Sequence, residues 1–274
     1  MLNLFYITNH PTVAQIAQKS GVDRIWIDLE TVGKAERQKN MNTVKSRHSI
    51  SDIEKIKPLL TNSELLVRIN PWGSYSYKEI DDVIEAGADI VMLPMWKTVD
   101  EVKRFLSCVG GRSKTMLLLE TKEAVECVDE VLRLDFDEIH IGLNDLHLSY
   151  GMHFLFEPLA VGMVDSLCEK FRQRHIPYGF GGIARLGAGL IPSEMIIEEH
   201  YRLGSTRAIL SRSFCQADQI DDMVELDRLF TENMRLIREF EKKCEVVDAA
   251  LLDSNHRKVV DSVNAIVRES SKNA

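Results

Sequence analysis

Six short apolar runs of this chain each stop at a residue that can do chemistry. They end at Asp28-Leu29-Glu30, Arg68-Ile69-Asn70, Leu93-Pro94, Glu120-Thr121, Asn144-Asp145 and the glycine-rich stretch Gly179-Phe180-Gly181-Gly182. If these run ends meet on one rim, four carboxylates and one arginine converge. Like charges packed together are unfavourable unless a cation neutralises them. Glu120 and Asp145 end consecutive runs, so both are expected within reach of one ion. Oxygen ligands without histidine or cysteine suit Mg²⁺ or Mn²⁺ better than zinc. Arg68 offers a planar fork for a substrate carboxylate. Asn144 and Pro94, at neighbouring run ends, are read as substrate-binding.

The elements that would position these groups alternate strictly. The strand-like runs are 4–8, 24–30, 65–70, 89–95, 115–120, 138–144, 178–184 and 207–213, with amphipathic helical stretches between them. Ser51 is read as an N-cap, with Glu54 completing a capping box. Continuously apolar strands such as ADIVMLPM are buried on both faces, as parallel strands are. Eight strand–helix units predict an α/β fold, a closed (β/α)₈ TIM barrel, with its site at the C-terminal ends of the strands. No GxGxxG or Walker loop follows the first strand, which lowers the dinucleotide-binding alternative. Residues 1–217 are assigned to the barrel. Residues 218–274 are assigned to a final barrel helix and a C-terminal helical extension.

Composition sets the outer bounds. The 274 residues carry 34 Lys and Arg against 42 Asp and Glu, a net charge of −8. That argues against nucleic acid or an anionic membrane as main partner. Five unpaired-looking cysteines argue against a disulfide framework. No apolar run reaches the ~20 residues of a membrane span. A cytoplasmic location is expected.

The pieces WIDLETVGK, ELLVRINP, IVMLPM, LLLET and GLNDLH, in this order, resemble the HpcH/HpaI aldolase and citrate lyase β-subunit family, within the phosphoenolpyruvate/pyruvate-binding barrels. The likeness spans about residues 1–215. The wording of GKAERQ, GFGGIARLG and EHYRLGS resembles a subgroup linked to bacterial capsule and surface-polysaccharide synthesis. The resemblance implies that Glu120 and Asp145 bind the metal. It implies that Arg68 grips the carboxylate and keto oxygen of a pyruvate-like ligand, and that Asp28 and Glu30 act near the ion through water or substrate hydroxyls. The implied activity is a class II aldolase-type carbon–carbon lyase working through a Mg-stabilised enolate on a 2-keto acid and an aldehyde or acyl partner. A homo-oligomer, trimer or hexamer, is implied, with residues after about Asp218 crossing to a neighbouring barrel. The rival readings are a coenzyme A thioester lyase or hydrolase of the citrate lyase type, and a catalytically silent scaffold.

One departure matters. The pyruvate aldolases of the family carry histidine at the position of Thr31, and the citrate lyase side carries aspartate. The general base is therefore sought elsewhere: His48 first, His147 second, or a water on the metal. His140, mid-strand, is read as facing outward onto the helices. No lysine stands at a strand end to form a Schiff base, which favours a metal-dependent route. Trp26, Trp72 and Trp96 are read chiefly as core. GGIARLGAG is a candidate for anion binding through backbone amides.

Overall fold

The computed structural model describes residues 1–33 and 48–272. Eight parallel strands close into a barrel in chain order: β1 Asn3–Ile7, β2 Arg24–Asp28, β3 Glu64–Arg68, β4 Ile90–Leu93, β5 Lys114–Leu119, β6 Glu138–Ile141, β7 Tyr178–Ile183 and β8 Arg207–Leu210. Closure is made by β1 pairing with β8, Phe5 opposite Ile209. The register that matters for the site sets Asp28 beside Arg68, and Leu119 beside Ile141.

Helices follow the strands: α1 Pro11–Lys19, α2 Ile50–Ile56, α3 Ser76–Glu85, α4 Val99–Val109, α5 Lys122–Val131, α6 Leu143–Ser149, α7 Glu157–Ala160, α8 Met163–Gln173, α9 Ser193–Leu203, α10 Met223–Cys244 and α11 Ala249–Lys272. Their ends are chemically marked. Thr98 caps α4 by accepting the Glu101 N–H, and Gly110 closes it in a left-handed conformation. The cap of α2 falls two residues before the expected Ser51. Ser49 donates from its N–H and its hydroxyl to Asp52 Oδ2, at 2.9 and 3.0 Å.

Alternate strand residues split into two cores. Outward side chains pack on the helices. Inward ones, including Phe5, Trp26, Leu66, Ile90, Met92, Met116 and Leu118, fill the barrel. His140 belongs with the inward set: it is fully buried, with its ring 5.9 Å from Phe5. The outward reading fails because β6 ends at Ile141 and Asp145 lies on α6, so strand parity does not connect the two.

The barrel floor is ionic. Arg24 makes a bidentate pair with Glu138 across the barrel (2.6 and 2.7 Å) and reaches Glu64 at 2.9 Å. Arg207 joins Glu138 at 2.6 Å.

The last two helices return to their own barrel. On α10, Glu241 accepts the Leu2 N–H and Arg238 donates to the Leu2 carbonyl, so this helix lies along the floor. On α11, Val259 and Val263 are fully buried, and Asn255 and His256 bond Glu199 of α9. Val259 and Val263 are thus covered within the chain, while Val224, Val246 and Leu251 of the same C-terminal segment stay exposed.

Candidate active site at the C-terminal rim

The rim gathers Asp28, Glu30, His48, Arg68, Glu120 and, in the first turn of α6, Asn144 and Asp145. Asp28, Glu30 and Glu120 are each only 2% exposed. Burying three carboxylates is costly unless each is compensated.

Arg68 compensates two of them. Its Nε and Nη2 grip Asp28 at 2.8 Å each, and Nη2 lies 3.2 Å from Glu30. The guanidinium also sits over the Trp26 ring, 5.1 Å from its centroid. Burial alone would pull the Arg68 pKa down, but Asp28 and Glu30 overcome it and hold the group more firmly charged than a free arginine. The expected substrate fork is therefore engaged by Asp28. Nη1 makes no hydrogen bond among the described residues, and this edge is what remains for a ligand.

Glu120 is held differently. Its Oε1 accepts the Met95 N–H at 3.1 Å. Met95 has φ 53°, a left-handed conformation that costs a non-glycine residue roughly 1–2 kcal/mol. Pro94 is buried at the β4 exit just before it, so its visible role is in this turn. On the other side Gly142 makes room. A Cβ there would stand 2.7 Å from Glu120 Oε2 and 2.9 Å from Glu120 Cβ. Gly142→Ala is expected to cost roughly 1–3 kcal/mol through this overpacking, read by denaturant unfolding. A change below about 0.5 kcal/mol would show that Glu120 moves freely.

Burial and the nearby Asp145 carboxylate push the Glu120 carboxyl well above the usual range, against the pull of Arg68. A cation between these two groups would relieve that repulsion. Among the described residues, no group of three or more His, Cys, Asp or Glu forms a metal cage. Two carboxylates with the remaining positions left to water and substrate suit Mg²⁺, which keeps several waters and rarely takes an all-protein cage. The donor set fits such an ion.

The histidines divide. The Asp28 N–H donates to His48 Nδ1 at 2.9 Å. A neutral ring accepting at Nδ1 carries its proton at Nε2. His147 is 4% exposed, with Nδ1 3.2 Å from the Leu143 carbonyl of its own helix. His140, one layer below the rim, bonds the Gly181 carbonyl through Nε2, and burial lowers its pKa to about 4.

Asn70 orders the segment after β2. Its Oδ1 accepts the N–H groups of Thr31 and Val32 at 2.8 and 3.0 Å, while Nδ2 donates to Glu79 at 2.6 Å. Thr31 is exposed beside it. Met95, Gly142 and this Asn70 clamp were not recognised from sequence. An Asn-Pro dipeptide and a glycine opposite a buried acid were the available signals.

A family model described as HpcH/HpaI aldolase/citrate lyase matches residues 2–155, more than half the chain and all of the rim residues above. The chain belongs to the HpcH/HpaI aldolase/citrate lyase family. No curated protein sequence matches it. Among solved structures it is similar to the HpcH/HpaI aldolase from Desulfitobacterium hafniense DCB-2, with TM-score 0.60 and 14% identity over 87% of this chain and 93% of that one. It is also similar to a variant of the citrate synthase SbnG, with TM-score 0.56 and 15% identity over 86% and 92% of the two chains. Macrophomate synthase gives TM-score 0.56 and 13% identity over 77% of each chain. These likenesses concern the fold. Family membership makes the HpcH/HpaI chain a lyase-type barrel of the metal-dependent kind that acts on pyruvate-like substrates.

Proposed function

We propose that the protein is a carbon–carbon lyase that makes or breaks a bond to a pyruvate-like fragment, with Mg²⁺ or Mn²⁺ held by Glu120 and Asp145. The observation that carries this reading is the buried Glu120, crowded by Asp145, beside an Arg68 that still presents its Nη1 edge. When bound, the ion supplies Lewis acidity that stabilises charge on the keto oxygen.

The chain's own residues do the rest. Arg68 Nη1 donates to the substrate carboxylate while Asp28 and Glu30 fix the plane of the guanidinium. Asn144 is half-buried and makes no side-chain hydrogen bond among the described residues, so its amide is available to the same ligand. His48, oriented by the Asp28 amide, donates from Nε2 to an oxygen that gains charge. Trp26 packs in the barrel interior beneath the Arg68 guanidinium and supports it from below. We assign this chemistry to residues 1–217 and a supporting role to 218–274.

Glu120→Gln tests the reading. A carboxyl whose pKa is raised by folding destabilises the native state at neutral pH, so without metal the variant should be at least as stable as wild type. Thermal stabilisation by Mg²⁺, with and without oxalate, should fall by at least ~10–100-fold in apparent affinity. Equal Mg²⁺ titrations of the two proteins would remove Glu120 from the metal site.

A further inference from the structure

The exits of β7 and β8 hold a second polar patch that this chemistry does not use. Arg185 lies two residues beyond β7 and Arg212 two residues beyond β8, both exposed. Among the described residues neither guanidinium has a carboxylate partner. By contrast Arg24, Arg68, Arg202, Arg207, Arg235 and Arg238 are all ion-paired. In a chain of net charge −8, these two exposed arginines stand in neighbouring loops on the rim that carries the candidate site.

Their placement is set by the backbone. The Arg185 N–H donates to the Ser213 carbonyl at 3.4 Å, joining the two loops. The Gly187 N–H is taken by Glu194 at 2.8 Å, and the Ala188 N–H by the Arg185 carbonyl at 3.1 Å. Two amides of GGIARLGAG, those of Gly187 and Ala188, are thus already engaged within the chain.

The patch is tied to the metal end. Gly181 on β7 has φ 52°, and a Cβ there would lie 2.8 Å from Leu143, the residue before Asn144. Neighbouring strands are ~4.8 Å apart, so the exits of β6 and β8 are about 10 Å apart, the length of a short carbon chain. Loops after strands seven and eight of such barrels are also where phosphate is commonly bound.

We propose that Arg185 and Arg212 form a phosphoryl-binding subsite for the far end of the second substrate. The partner joined to the pyruvate-like fragment is then a short phosphorylated aldehyde. This rests on the lyase reading above. Two planar forks match the three acceptor oxygens of a phosphate dianion, whereas a carboxylate is satisfied by one.

The test uses the full chain at constant ionic strength. Calorimetry with inorganic phosphate, and separately with oxalate plus Mg²⁺, compares wild type with the Arg185→Gln/Arg212→Gln double variant. Phosphate should bind the double variant at least about tenfold more weakly, with oxalate binding unchanged. With pyruvate, wild type should prefer glyceraldehyde 3-phosphate to glyceraldehyde in kcat/KM, and the double variant should lose that preference. Equal or absent phosphate binding in both proteins while oxalate still binds would overturn the subsite. So would an undiminished preference in the double variant. Phosphate binding that depends on the arginines, without any oxalate binding, would support the subsite and sink the pyruvate reading instead.

Discussion

Arg68→Ala is expected to lose affinity for a pyruvate analogue while keeping, or tightening, the affinity for Mg²⁺. The two effects part because Arg68 does two jobs. Its Nη1 edge is the remaining donor for an incoming carboxylate, and a charge-assisted hydrogen bond is worth roughly 1.5–3 kcal/mol. Oxalate affinity should therefore drop at least about tenfold. Its Nε and Nη2 neutralise Asp28 and Glu30, so its removal leaves two buried carboxylates facing Glu120. Breaking a buried pair on one side typically costs about 3–5 kcal/mol of stability. That same excess negative charge draws a cation in. Titration of both ligands, with unfolding measured alongside, separates the parts. Arg68→Lys keeps a compensating charge and should fold better than Arg68→Ala, yet recover little oxalate binding, because an ammonium cannot hold Asp28 bidentately and still present a planar edge. If Lys restores oxalate affinity fully, the geometry of the fork is irrelevant.

The identity of these rim residues was legible because each ends an apolar run, and in this architecture run ends share one face. Asp28, Arg68 and Glu120 needed only that rule. Asp145 was found for a reason that is only partly right: the apolar run 138–144 is a four-residue strand followed directly by α6, so the acid comes from the first turn of a helix. The same mistaken continuity put His140 outside the barrel. The C-terminal helices were legible as amphipathic, but an apolar stripe does not say which surface covers it, and Val259 and Val263 find α9 of their own chain.

Other features depend on barrel closure and could not be read from spacing. Arg24, Glu64, Glu138 and Arg207 sit on four separate strands, and no local pattern marks them. Their partners follow from which strands face one another across the floor. Met95 is similar. Nothing in Leu-Pro-Met announces a left-handed residue, and the turn it makes places the Met95 amide on Glu120, a partner from the next strand.

That ionic floor supplies the second large expectation, which concerns acid stability. Burial by itself would raise the Glu138 pKa, but hydrogen bonds from Arg24 and Arg207 outweigh it and hold the group at about 2. A folded-state pKa below the unfolded value contributes stability that is complete above the unfolded pKa and is lost as pH falls through the folded one. The window here runs from about pH 4.5 down to about 2, and the contribution is on the order of 3 kcal/mol. Glu138→Gln should remove this acid-labile part and leave Arg24 and Arg207 without their shared anion. At pH 7 the variant should be less stable by about 3–5 kcal/mol, a shift on the order of 10 °C in Tm for a chain of this size. Its stability should also fall less steeply than wild type between pH 4.5 and 2. Replacing the whole triad, as Arg24→Met/Glu138→Leu/Arg207→Met, should recover much of the loss at pH 7, since a packed apolar substitute avoids the desolvation of three charges. Glu64 keeps Lys114 as partner at 2.5 Å in that variant, so no carboxylate is stranded by the change. Denaturant unfolding across the pH series decides the matter: parallel acid limbs for wild type and Glu138→Gln would mean that the floor is not where acid sensitivity resides.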